Sequence, residues 1–202
     1  MYKITLLLFF FIATFGTAAT AQTFEGTVQM QQETANGIIY DVTWYIKKDK
    51  IAFEISSASA RGTSVVRFVP QKKSSSILMI TGDTKKEIAL SDISTDYNFG
   101  NIQTQEVAGE KNDYTLYSNK NTHYKISTTD VVAQIEVSSE IDVNFSEYAE
   151  FFKNDCGMYI LANSKKKGFP INSVATDIEG NLISKTTFRS MQKMTIDDSK
   201  FN

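Results

Sequence analysis

The amino-acid sequence predicts a mainly β protein: a curved antiparallel sheet that forms an incomplete barrel, with one or two short helices against its concave side. Apolar residues alternate with polar ones at the two-residue period of a β-strand through most of the chain. The connections between about ten such segments are too short for parallel crossovers. Helix-period patterns are few, so we expect the apolar face of the sheet to be covered by about one amphipathic helix.

Residues 1–21 have the pattern of a secretory signal peptide. Lys3 gives a short positive start, residues 6–12 are all apolar, and residues 19–21 are small enough for a signal peptidase. We expect cleavage between Ala21 and Gln22 and a periplasmic or secreted product. Residues 22–202 are then expected to fold as a single soluble, β-rich domain.

Composition narrows the classes of partner. The chain has 21 Lys and Arg against 23 Asp and Glu, and this balance argues against nucleic acid, which needs clustered basic residues. Beyond residue 21, no apolar run has the length of a membrane span, so we expect a protein that is not integral to a membrane. Cys156 is the single cysteine, and we expect it to be buried.

The strongest strand prediction is a hairpin over residues 40–55. Residues 40, 42, 44 and 46 form one apolar face of its first strand, and residues 51, 53 and 55 form one face of its second. A turn centred on Lys48 and Asp49 places these two faces on the same side of the sheet. The expected cross-strand pairs are Val42 with Ile55, Trp44 with Phe53, and Ile46 with Ile51.

The other strands follow in chain order, separated by turn residues. The first carries Phe24, Val28 and Met30 and ends near the Asn36-Gly37 turn. The segment 64–69 is expected to stop at Pro70, because proline cannot donate to a strand ladder. The remaining predicted strands are 76–81, 85–90, 114–117, 124–127, 131–137, 171–178 and 182–194.

Two segments have helical character. Ser146 is expected to cap a helix whose residues Tyr148, Phe151 and Phe152 share one apolar stripe, with Lys153 at its end. Residues 158–162 suggest a second short helix. Residues 91–100 fit neither period and are expected to form a loop with a helical turn.

Catalytic, cofactor and metal sites are not predicted. His123 is the single histidine and lies inside a predicted strand, so we interpret it as structural. One His and one Cys are too few for a zinc site, and no nucleophile elbow, dinucleotide fingerprint or phosphate loop is present. A pair of carboxylates for glycoside hydrolysis cannot be placed from sequence, so an enzyme is the third hypothesis.

The positive signal is an apolar, aromatic-rich inner face of the sheet. A curved sheet leaves part of this face open unless helices cover it, and the open part suits an acyl chain or an apolar peptide. The candidate ligand-lining residues are Val42, Trp44, Phe53, Ile55 and Phe68.

Several segments resemble motifs of a family of exported bacterial domains of unknown function. The segments are Phe24-Glu25-Gly26, Tyr45-Ile46-Lys47-Lys48-Asp49-Lys50-Ile51, Thr104-Gln105-Glu106-Val107-Ala108-Gly109, Gly168-Phe169-Pro170-Ile171 and Asp197-Asp198-Ser199-Lys200-Phe201. The resemblance implies a fold similar to the periplasmic lipoprotein carriers of the LolA and LolB type, an incomplete antiparallel barrel with helices at its mouth. It implies no catalytic or binding residue.

Two functions follow as hypotheses. The first is an exported carrier or binding module for a lipid, an acyl chain or an apolar peptide. The second is an envelope protein-interaction module that takes no small molecule, and that binds a protein through an exposed sheet edge or loops.

Overall fold

The computed structural model describes residues 24–48, 50–59, 62–73, 75–108, 121–153 and 155–202. Within these ranges the chain forms one antiparallel sheet of eleven strands. The strands are β1 (Glu25–Thr34), β2 (Ile39–Lys47), β3 (Lys50–Ser59), β4 (Gly62–Gln71), β5 (Ser76–Thr81), β6 (Thr84–Ala89), β7 (Gln103–Val107), β8 (Asn121–Ser127), β9 (Val131–Ser138), β10 (Phe169–Asp177) and β11 (Leu182–Lys193). The predicted segments 1–21 and 114–117 lie outside the described residues.

The order of strands in the sheet is β6-β5-β4-β3-β2-β1-β11-β10-β9-β8-β7. Every neighbouring pair is consecutive in sequence except β1 with β11, which joins the two halves at the centre. Strands β6 and β7 are the two edges and do not pair with each other, so the sheet is not closed into a barrel. The predicted fold class is confirmed.

The predicted β2–β3 register is also confirmed. Val42 lies opposite Ile55, Trp44 opposite Phe53, and Ile46 opposite Ile51. Lys48 has a φ of 51°, the left-handed conformation that a tight hairpin turn requires at its centre. The turn therefore forms at the expected place, although lysine is a poor residue for that conformation.

The expected strand end at Pro70 is wrong, because β4 continues through Pro70 to Gln71. The pairing of β4 with β3 ends at Phe68 opposite Phe53, whereas its pairing with β5 continues through Pro70 opposite Ile77. Pro70 therefore lies beyond the last residue pair of the β3 ladder and is paired only with β5, so its missing N–H group does not interrupt the pairing of β3 with β4. Strand β7 was not predicted, because its sequence is mostly polar and it lies at a sheet edge.

Two helical segments cover the concave face, as predicted. Phe145–Phe152 is a 3₁₀ helix rather than an α-helix, and its first residue is Phe145, so Ser146 is not its cap. Helix α1 (Cys156–Asn163) is longer than the predicted 158–162 and begins after Asp155, whose Oδ1 accepts a hydrogen bond from Met158 N at 3.1 Å. No helix in the described part of the chain is long and apolar enough to cross a membrane.

The core lies between the sheet and these helices. Tyr148, Phe151 and Phe152 pack with Trp44 and the neighbouring strands, as the apolar stripe predicted. Met158 of α1 joins this cluster, whereas Ile160 and Leu161 pack with β8, β9 and β10. On the opposite face of the sheet, Ile196 and Phe201 from the C-terminal segment cover Ala52 and Val69.

Candidate functional site

A cavity of about 360 Å³ lies between the concave face of the sheet and the two helical segments. The sheet supplies one wall, from β6 across β1 to β11 and β10, and the 145–152 helix and α1 supply the other. The five residues predicted from the sequence to contact a ligand all line this cavity, on its sheet wall: Val42, Trp44, Phe53, Ile55 and Phe68. The structure therefore brings the predicted set together, because the β2–β3 and β3–β4 registers place them on one face.

An aromatic row crosses three strands on this wall. The ring centroids of Trp44 and Phe53 are 4.8 Å apart, and those of Phe53 and Phe68 are 5.2 Å apart in a stacked arrangement. Trp44 is buried against Phe152, at 5.8 Å between centroids, whereas Phe53 and Phe68 are half-buried. Trp44 thus belongs to the core, whereas Phe53 and Phe68 form an accessible part of the cavity wall.

The row continues into an apolar pocket at the β4–β6 end of the cavity. Ile77, Ile88 and Ile93 line this end, and Phe151 closes it from the helical side. Asp92 also lines the cavity and is exposed to solvent, which identifies this end as a mouth. Aliphatic and aromatic side chains line both walls from this mouth inward.

The other end of the cavity is polar. Gln32 on β1 lies opposite Thr186 on β11, and Thr186 lies opposite Ser173 on β10. Gln32 Nε2 donates to Asp155 Oδ2 at 3.2 Å, which adds the carboxylate at the start of α1 to this row. We call Gln32, Asp155, Ser173 and Thr186 the polar end, and all four line the cavity.

Gly157 lets α1 approach the polar end closely. A Cβ atom at this position would lie 2.8 Å from Ser173 Oγ, closer than side-chain contacts allow. The first turn of α1 therefore rests directly on β10, and this contact holds Asp155 against the cavity rather than in solvent.

The carboxyl of Asp155 is held in an unusual electrostatic environment. Burial raises its pKa above the ordinary value of 3.8, because the charged form is desolvated. Hydrogen bonds from the Met158 and Gly157 backbone and from the Gln32 amide act in the opposite direction without cancelling this effect. In the described part of the chain, no Lys or Arg lines the cavity, and its two charged residues are both acidic, Asp92 and Asp155.

The other reactive side chains lie outside this cavity. Cys156 is buried as expected, and burial raises the pKa of its thiol to about 12. His123 Nε2 is 3.9 Å from Glu136 Oε1, and Glu136 accepts hydrogen bonds from Asn121 and Asn172 at 2.9 and 2.6 Å. This arrangement ties β8, β9 and β10 together, in agreement with a structural role for His123.

The polar end was not among the residues predicted from the sequence. Asp155 had a detectable local signal, since an Asp directly before an apolar helical segment is a common N-cap. Gln32 had none, because it is one of several polar residues near the end of β1. Its importance follows from the position of α1, which is 123 residues away in sequence.

The comparisons with known proteins give no family. No family model matches the chain, and no curated protein matches it. Among solved structures, the chain is similar to an uncharacterized conserved protein from Thermus thermophilus, with 6% sequence identity and a TM-score of 0.46. The similarity covers 90% of this chain and 85% of that one. At this level it carries no argument about function, and the resemblance to exported carrier-like domains stays a prediction from sequence motifs.

Proposed function

We propose that this chain is an exported carrier or binding module that holds the single acyl chain of an amphiphile in the cavity. The observation that carries the proposal is the continuous apolar wall from Trp44 through Phe53 and Phe68 to the mouth beside Asp92. The signal-like residues 1–21, with cleavage between Ala21 and Gln22, support a periplasmic or secreted location. The motif resemblance to LolA-like carriers is in keeping with this function.

The size of the cavity suits one chain. Its volume of about 360 Å³ is near the lower end of the roughly 300–1,000 Å³ of small-molecule sites. At roughly 30 Å³ for each water-sized group, it holds about twelve groups. Complete burial of that many methylenes contributes roughly 10 kcal/mol, which is of the same order as the roughly 4–15 kcal/mol cost of association.

An acyl chain fits this wall better than an apolar peptide does. Every peptide unit carries an N–H and a C=O group that need partners when buried. The aromatic row and the isoleucines at the mouth offer no such partners, so a peptide backbone lying along them would be left unsatisfied. An acyl chain has no polar group until its head, which the polar end can meet.

The test is a cavity-filling substitution with a matched control. In Ile55→Trp, the indole enters the cavity, whereas in Val65→Trp the same ring points to the opposite face, since Val65 alternates with the inward-facing Val66. The full chain is expressed through a bacterial secretory pathway, and intact mass determines whether it begins at Gln22. Binding of the neutral dye Nile red and its displacement by dodecanol are then measured.

We expect Ile55→Trp to lose dye and dodecanol binding by about tenfold or more, and Val65→Trp to keep both within about twofold. Equal binding by the two variants, or no binding by the unsubstituted protein, would contradict the proposal.

A protein-interaction function has one observation in its favour. Ile38, Ile39 and Ile178 are 44%, 53% and 70% exposed. Ile38 and Ile39 follow the β1–β2 turn and Ile178 begins the β10–β11 turn, and pairing of Thr34 with Ser184 brings both turns to one end of the sheet. If this end binds an envelope protein, replacing the three isoleucines by serine weakens that complex and leaves dodecanol binding unchanged.

A further inference from the structure

We infer that the cavity prefers an amphiphile with a cationic, hydrogen-bond-donating headgroup, such as a primary ammonium, over one with an anionic headgroup, such as a free fatty acid. This inference rests on the proposed function and adds the chemistry of the ligand's head. The charge of the cavity lining and the acceptors at the polar end carry it.

The ionisable side chains that line the cavity are both acidic. Asp155 lies at the polar end and Asp92 at the mouth, and no basic residue of the described chain lines the space between them. A fatty-acid carboxylate would therefore meet a second carboxylate at either end, without a cation to balance them. Sites that bind carboxylates ordinarily supply Arg, Lys or several backbone N–H groups for this purpose.

The polar end offers acceptors for an ammonium. A primary ammonium has three N–H donors and no acceptor. Asp155 carries two carboxylate oxygens, and Ser173 and Thr186 add hydroxyl oxygens on the same side of the cavity. Asp155 accepts hydrogen bonds from the Gln32 amide and from backbone N–H groups, all neutral donors, so no cationic side chain of the described residues is bonded to it.

Capping of α1 does not by itself account for this environment. One oxygen is enough for a cap, and Asp155 Oδ1 fills that role by accepting from Met158 N. Asp155 Oδ2 is directed to Gln32 on the cavity wall instead. The N-terminus of α1 would attract an anionic head, but the Asp155 carboxyl already occupies that position as the helix cap.

The experiment compares three probes that share one twelve-carbon chain: dodecylammonium, dodecanol and dodecanoate. Each displaces Nile red from the full, secreted protein near neutral pH, below the concentration at which the probe forms micelles. The variants are Asp155→Asn, which keeps a capping oxygen, and Asp41→Asn. Asp41 is exposed and alternates with the inward-facing Val42, so this control removes one negative charge from the outer face.

We expect dodecylammonium to bind about tenfold or more tightly than dodecanoate, with dodecanol between them. Asp155→Asn is expected to reduce that ratio to about threefold or less, and Asp41→Asn is expected to keep the ratio.

Equal affinity for the three probes, tighter binding of dodecanoate, or an unchanged ratio in Asp155→Asn would overturn the headgroup inference and leave the acyl-chain function intact. If none of the three probes displaces Nile red, the proposed function itself is overturned. The two failures are thus distinguished by dodecanol, which carries no charge.

Discussion

Gln32 Nε2 donates a hydrogen bond to Asp155 Oδ2 at 3.2 Å, and this contact joins strand β1 to the start of helix α1 across 123 positions of sequence. The contact fixes where the helical cover meets the sheet. It also places a carboxyl group at the polar end of the cavity, so that both the packing of α1 and the chemistry of the cavity depend on these two side chains.

Asp155 is expected to stabilise α1 through its geometry rather than its charge. Asp155→Asn keeps the capping oxygen, so we expect a free energy of unfolding at least equal to that of the unsubstituted protein near neutral pH. Asp155→Ala removes the acceptor of Met158 N and the partner of Gln32, with an expected loss of about 1–2 kcal/mol. Urea unfolding followed by circular dichroism measures both values, and a large loss in Asp155→Asn would contradict this assignment.

The same carboxyl predicts a pH dependence of stability. Its pKa is raised in the folded state, so the folded protein binds the proton more tightly than the unfolded chain does. Its contribution to stability is therefore fully present below the ordinary pKa of 3.8 and is lost as pH rises through the raised folded value. Relative to the unsubstituted protein, Asp155→Asn should gain stability as pH rises through this window, and a constant difference would contradict it.

Glu54 is expected to show the opposite dependence. Burial opposes its ionisation, but hydrogen bonds from Tyr45 and Arg67 and the charge of Lys200 hold its pKa below the ordinary value of 4.5. The Arg67 Nη2 to Glu54 Oε1 distance is 2.7 Å. The contribution of Glu54 to stability is therefore present above pH 4.5 and lost as pH falls through the lowered folded value.

Glu54→Gln should accordingly cost about 1 kcal/mol near neutral pH and less under acidic conditions. Glu106→Gln, at an exposed position on edge strand β7, is the matched control and should change stability by less than about 0.5 kcal/mol. Denaturant unfolding at a series of pH values measures the change in the free energy of unfolding for both variants. Equal changes in Glu54→Gln and Glu106→Gln would contradict a stabilising role for the Glu54 carboxylate.

Cys156 is expected to be unreactive in the folded protein. Its thiol is buried and its pKa is raised to about 12, so the nucleophilic thiolate is scarce at neutral pH. Iodoacetamide should leave the native protein unmodified and should alkylate it once denaturant is added, as intact mass determines. Rapid labelling under native conditions would show that the α1 region opens.

Gly26 is expected to tolerate no side chain. A Cβ atom there would lie 2.1 Å from the backbone oxygen of Gln192 on β11. Gly26→Ala should therefore cost about 3 kcal/mol or more, because backbone must move at the centre of the sheet. Gly37→Ala is the control: its φ is +75° with open space around it, and about 1 kcal/mol is expected. Thermal unfolding distinguishes the two values.

The sheet wall of the cavity could be predicted because local rules determine it. Alternation places Val42 and Trp44 on one face, and a hairpin turn then positions Phe53 and Ile55 opposite them. Phe68 follows by the same rule in the next hairpin. Residue type and short-range register are enough for this part of the site.

The polar end could not be predicted in this way. It depends on the pairing of β1 with β11 and on the direction from which α1 approaches, and neither is encoded by a neighbouring turn. The predicted strand end at Pro70 was wrong for a related reason. Whether a proline ends a strand depends on which neighbouring strand is paired at that position.

The central pairing of β1 with β11 has a consequence for how the chain folds. The other strand pairs form between neighbours in sequence, whereas this one brings together residues such as Gln29 and Ser190, 161 positions apart. The two halves of the sheet, β1–β6 and β7–β11, are expected to form quickly. The pairing of β1 with β11 is then expected to be the slow step, because it must close a long loop of chain. Until it occurs, β1 and β11 are both unpaired edges, and in a concentrated refolding mixture β1 of one molecule can join β11 of another to give a swapped pair.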